Sequence, residues 1–191
     1  MDIQNNTITL YSAQTKEVYN LLLQEGEIYS KEAYVKDKYQ EISNVFQVAY
    51  GWFVKQLPKY VEKPEKAEYP YWGFADRFSV EACGDCDLLD LTVPLDEVVL
   101  FDLYDWIKIM RLEYLGETEA EEARFRQKIK DYGIRNTSEI MFRNFYPDLK
   151  REIEDSWQRL FRHNEALKSG DTSGVGGVQA GMWRLKKDWM K

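Results

Sequence analysis

The sequence is poor in residues on which many hydrolases and secreted proteins rely: it holds one histidine, two cysteines and five prolines in 191 residues. With His163 as the sole imidazole, any Ser-His or Cys-His mechanism has to run through it. Cys83 and Cys86 are too few to form a disulfide framework for a chain of this length, which fits a reducing compartment. No apolar run is long enough to span a bilayer, and Met1-Asp2-Ile3-Gln4-Asn5-Asn6 lacks the basic flank and apolar centre of a signal peptide. The expectation is a cytoplasmic protein without a membrane segment. A basic excess is missing too. The net charge of −7, from 26 basic and 33 acidic residues, opposes long-range attraction to nucleic acid or to an anionic membrane.

Aromatic residues are what the chain has in quantity: 15%, with 6 Trp and 13 Tyr, in a sequence that is 44% hydrophobic. That is ample material for a packed interior, and it leaves rings to spare for recognition. No linker-like stretch divides the chain, so residues 1–191 are expected to form a single domain.

Local patterns suggest α+β. Residues 8–11 favour a strand, Ser12 or Thr15 can cap the helix that follows, and Gly26 sits where a helix C-cap glycine belongs. From about Lys38, the residues Ile42, Val45, Phe46, Ala49, Phe53 and Val54 recur at helical spacing until Pro58. A charged loop then leads to the cluster Tyr69-Pro70-Tyr71-Trp72-Gly73-Phe74. Residues 88–93 and 98–101 read as strands, and Asp102 and Asp105 suit the start of a helix that Gly116 closes. Further helices are predicted over 117–132, from Ser138 to Phe145, and from Pro147 to about Asn164. The glycine-rich residues 169–177 read as a flexible loop, a lid in functional terms, ahead of an alternating run over 178–189. The predicted architecture is a small mixed or antiparallel sheet packed by about five helices, with the N- and C-terminal strands side by side.

Each candidate site has a plain structural explanation beside it. Cys83-Gly84-Asp85-Cys86 has the spacing of a redox pair or half a zinc site, but a strand-like run follows it and no second cysteine pair exists, which suits an ordinary turn. His163 lies near a predicted helix C-terminus beside Arg162 and Asn164, where the helix dipole accounts for it. Asp102 and Asp105, near Asp96 and Glu97, offer carboxylates for metal or acid–base work, yet a helix start calls for such residues by itself. The glycine loop lacks the lysine of a phosphate-binding loop and the spacing of a dinucleotide fingerprint. The cluster at residues 69–74, with Trp52, Trp106 or Trp183, would build a stacking pocket for a base or nicotinamide ring; most of these rings also serve as core anchors.

Four segments together resemble a bacterial family known as domain of unknown function number 3841. They are Leu10-Tyr11-Ser12-Ala13-Gln14, Tyr69-Pro70-Tyr71-Trp72, the run from Val98 through Asp102 to Trp106, and Ser156-Trp157-Gln158-Arg159-Leu160-Phe161 with Val178-Gln179-Ala180. The resemblance implies a compact bacterial or phage-type protein and carries no activity to transfer.

Two functional readings follow. One is a binding module with an aromatic-lined cleft that serves a protein partner or a nucleotide-like ligand, with Tyr11, Ser12, Gln14, Trp72, Asp102 and Gln179 as its lining. The other is an enzyme, either ADP-ribosyltransferase-like with NAD as cofactor or another that uses a nucleotide. Members of that superfamily carry Arg or His in the first strand and a late Glu, which Leu10-Tyr11-Ser12 does not match. No metal is called for, and the first reading needs no cofactor.

Overall fold

The computed structural model describes residues 1–31, 43–81 and 84–191. The expected helical positions 38–42 and Cys83 lie outside the described residues.

The fold opens around one long strand. After the short β1 (Ile3–Gln4), strand β2 (Thr7–Thr15) alternates strictly, with Ile8, Leu10 and Ser12 buried and Thr9, Tyr11 and Ala13 on the opposite face. It ends where the Thr15 hydroxyl accepts from the Val18 amide and caps α1 (Lys16–Glu25). Of the two expected caps Thr15 is therefore the one used, and Ser12 stays within the strand. Gly26 closes α1 in the left-handed region, at φ 76°, where a side chain would be strained. β3 (Glu27–Tyr29) follows, then α2 (Ser43–Gln56), which stops as Pro58 enters the 3-10 turn Leu57–Lys59.

The remaining strands are β4 (Tyr71–Phe74), β5 (Cys86–Pro94), β6 (Val99–Asp102), β7 (Val178–Met182) and β8 (Arg184–Lys186). Between β6 and β7 come α3 (Leu103–Met110), α4 (Glu119–Asp131), α5 (Thr137–Met141), α6 (Pro147–Ser156), the 3-10 segment Trp157–His163 and α7 (Asn164–Lys168). The main sheet is antiparallel throughout: β5 pairs with β2 over nine residues, β4 joins β2 to β7, and β6 lies beyond β7, while β1 flanks the start of β2. β3 and β8 form a separate two-stranded ribbon. The fold is α+β, with strands from both ends of the chain in one sheet.

The sheet separates two cores. One face is aliphatic: Ile8, Leu10, Leu91, Leu100, Ala180 and Met182 pack with Leu22 of α1 and Leu167 of α7. The other is aromatic: Phe53 of α2, Trp106 of α3 and Phe161 close over Trp72 and Phe101. Gly181 permits that close approach, because a Cβ there would stand 2.7 Å from Phe53 Cζ.

Five expectations need correction. β2 and β7, the strands expected side by side, share the sheet but are not neighbours, since β4 lies between them. The alternating run over 178–189 is not one strand: buried Trp183 breaks it, and its two halves join different sheets. α3 ends at Met110, well short of Gly116, because Leu112 takes φ 58° and the chain turns to bury Leu112 and Leu115. α5 is capped by Asn136 rather than Ser138 and stops at Met141; the Asn136 side chain accepts from the Glu139 amide and from the Ser138 hydroxyl. The helix predicted from Pro147 likewise passes through a 3-10 stretch, so that Asn164 can accept from the Leu100 amide of β6 at 2.9 Å.

One surface carboxylate makes stability depend on acid. Glu121 accepts from the Tyr114 hydroxyl at 2.5 Å and from the Glu117 amide at 2.9 Å, and lies 3.0 Å from the Arg159 guanidinium. The Tyr114 hydrogen bond leads the causes that hold its carboxyl at about 2, against an ordinary value of 4.5. This stabilisation is complete above the unfolded-state value and disappears as pH falls toward the folded one. Urea unfolding across that interval should show stability falling with acid in the parent protein, with a shallower fall in Glu121→Gln.

Candidate functional site

Strand pairing builds the site. Directly opposed residues on neighbouring strands point to the same face, so the pairs Asp90–Tyr11, Tyr11–Phe74, Phe74–Gln179 and Gln179–Phe101 form one row across five strands on the aromatic face. The row grades from buried Phe101 and Gln179 to half-exposed Phe74, Tyr11 and Asp90. α2, α3 and the 3-10 segment cover its inner end.

Gln179 is 4% exposed, and its Oε1 has no hydrogen-bond partner. A buried carbonyl left in this state costs about 1–3 kcal/mol. The only other such side-chain atom among the described residues is Asp90 Oδ1, in the same row. Both are acceptors. Lys191 Nζ stands 3.5 Å from Asp90 Oδ1 and donates to Thr9 Oγ1 at 2.8 Å, placing a cation at the outer end of the row.

Trp72 lies two residues from Phe74 on the same face. Its Nε1 donates to the Tyr50 hydroxyl at 2.9 Å, and its ring packs edge-on to Tyr50 and 4.9 Å from Trp106. The indole is thus fixed in place with its hydrogen-bonding capacity used.

The six expected lining residues are divided by the sheet. Tyr11, Trp72 and Gln179 share the aromatic face. Ser12 and Gln14 belong to the other one, where the Ser12 hydroxyl donates to the Trp72 carbonyl at 2.7 Å and accepts from Gln14 Nε2 at 2.8 Å. The one-residue step from Tyr11 to Ser12 reverses the face, so these two cannot line the same cleft. Asp102 is a cap: its Oδ1 accepts from the Tyr104 amide at 3.2 Å and from the Gly177 amide at 3.3 Å, which ties the glycine-rich loop to the start of α3. Asp90 and Tyr50 went unnoticed in the sequence. Asp90 had a signal, since Leu89 and Leu91 flank it and alternation puts it opposite them.

A second charged group sits beside that loop. Arg162 Nη2 stands 2.9 Å from Asp105 Oδ2, and Arg162 Nε donates to His163 Nε2 at 3.0 Å. Burial pushes the Asp105 carboxyl up, with Arg162 opposing the rise. Gly174 lies against the His163 ring and Gly176 against Tyr104, where a Cβ would come within 2.8 and 2.7 Å of ring atoms. These contacts account for His163, Arg162 and the two glycines as a packed unit. Cys86 opens β5 opposite Thr15. Among the described residues, no three His, Cys, Asp or Glu side chains come together as a metal-binding group. No helix among them is long and apolar enough to cross a membrane.

Comparison with curated proteins and with solved structures gave no match. Comparison with protein families matched a family described as a domain of unknown function (DUF3841) over residues 9–191. That span starts within β2 and takes in β4, β7 and every residue of the row. The chain belongs to the DUF3841 family.

Proposed function

We propose that this protein is a ligand-binding module whose site is the aromatic sheet face at Tyr11, Phe74 and Gln179, and that its ligand is a small planar molecule presenting N–H or O–H donors. The observation that carries the reading is the buried, unpartnered Oε1 of Gln179. Nearly all buried polar groups in folded proteins are satisfied, so an idle acceptor between aromatic rings suits a donor brought from outside. Phe74 and Tyr11 supply a floor for a ring, and Asp90 provides a second acceptor about three strand spacings, roughly 14 Å, from Gln179.

The same face is the place to test NAD chemistry. β2 carries no basic residue and β7 no carboxylate, so these two strands lack the charged residues that ADP-ribosyl transfer would call for. That favours binding over ADP-ribosyl transfer.

Thermal unfolding with nicotinamide, NAD, ADP-ribose, adenine and guanine nucleotides tests the proposal. One of them should raise the melting temperature, by the equivalent of about 2.7 kcal/mol at a hundredfold excess over Kd. Gln179→Leu should abolish that rise while leaving the free protein at least as stable, because it removes an idle polar group. No rise across the panel, or a Gln179→Leu variant that is markedly less stable, would remove the reading.

A further inference from the structure

The chain-wide acidity hides a local reversal. Between residues 124 and 151 there are eight basic and three acidic residues, in a chain whose totals are 26 and 33. Lys128 pairs with Glu152, Arg126 with Glu122 and Arg151 with Asp148. Lys130, Arg135 and Arg143 are exposed and have no carboxylate within ion-pair distance among the described residues. The same stretch carries three exposed rings: Phe145 is 79%, Tyr132 59% and Phe142 46% exposed. Tyr132 at the end of α4 meets Tyr146 at the start of α6 with ring centroids 6.4 Å apart, which brings the two ends of the intervening segment together. Burial of Ile134, Ile140 and Met141 beneath explains the segment's course but not the outward rings, which cost solvation where they stand.

We infer that this surface binds single-stranded nucleic acid. Exposed rings interleaved with unpaired cations meet the two needs of such a strand: flat faces on which bases stack, and positive charge beside the phosphates. An acidic protein segment matches the cations but has less use for separate, outward rings, which a protein interface gathers into a buried centre. The net charge of −7 slows the approach from a distance, and screening at physiological salt confines its effect to about 8 Å. This surface belongs to the helices between β6 and β7 and is independent of the row around Gln179.

Fluorescence anisotropy with labelled oligo-dT and oligo-U of about 15 nucleotides tests the inference on the full chain, with a poly-glutamate peptide as competitor. Both oligonucleotides should bind, and about 10-fold or more weakly at 200 than at 50 mM salt. A preference for oligo-U would point to contacts with the 2′-hydroxyl and equal binding to phosphate and stacking alone, both within the inference. Phe145→Ser should weaken binding about 10-fold through lost stacking, and Arg135→Glu with Arg143→Glu should abolish it. All three positions are exposed, so circular dichroism of the variants should match the parent. Absence of binding at low salt, or binding unchanged in these variants, would overturn the inference. So would displacement by the peptide at equal charge concentration, which would assign the surface to an acidic protein.

Discussion

Trp157→Ala should lower the unfolding free energy by about 3–5 kcal/mol, measured by urea denaturation. Trp157 is 0% exposed at the junction where α6 tightens into the 3-10 segment. Its ring stands edge-on to Trp52 of α2 at 5.5 Å, and its Nε1 donates to the Glu113 carbonyl at 2.7 Å. Removal leaves a ring-sized void and an orphaned carbonyl in the turn that follows α3. Trp157→Phe separates the two effects. It retains much of the packing, so its loss should approach the smaller figure of about 1–3 kcal/mol for an unmade buried hydrogen bond. A fully folded Trp157→Ala with parent stability would contradict the aromatic core as described.

The second large effect is expected at Arg162. Arg162→Leu strands the buried Asp105 carboxylate and should cost about 2–3 kcal/mol at neutral pH, the low side for a buried pair because the guanidinium is partly open to water. The loss should shrink on acidification. Asp105 already titrates above its ordinary 3.8 in the fold because of burial, so the native state holds its proton to higher pH than the unfolded chain. Stability from this group therefore falls as pH rises through that interval, and losing Arg162 moves its upper end higher still. Unfolding at neutral pH and near the carboxyl range compares the two conditions directly. Asp105→Asn in the Arg162→Leu background should recover part of the loss at neutral pH and little in acid.

Much of this fold could be read from local rules because local chemistry decides it. Thr15, Gly26, Asp102 and Pro147 act through groups one turn away, and each stands at the boundary of an element. The α+β class followed from period-two and helical patterns that the cores preserve. What was hidden depends on distant partners. β4 was visible only as an aromatic cluster, and nothing in its four residues says that it separates β2 from β7. The early end of α3 reflects burial of Leu112 and Leu115 against later helices, a tertiary demand that overrides propensity. For the candidate site, the sequence pattern leaves the faces undecided. Tyr11, Trp72 and Gln179 lie in or near predicted strands, and only the register shows that Ser12 and Gln14 face away from them. Asp90 became meaningful only once the row was assembled.

Residues 190 and 191 cover part of a sheet edge. Met190 bridges to Leu91, and the Lys191 amide donates to the Asp90 carbonyl at 3.0 Å, so the final residues lie along the free side of β5. An open strand flank is a template on which another copy can add its own backbone. Met190 and Lys191 cover that template at Leu91 and Asp90.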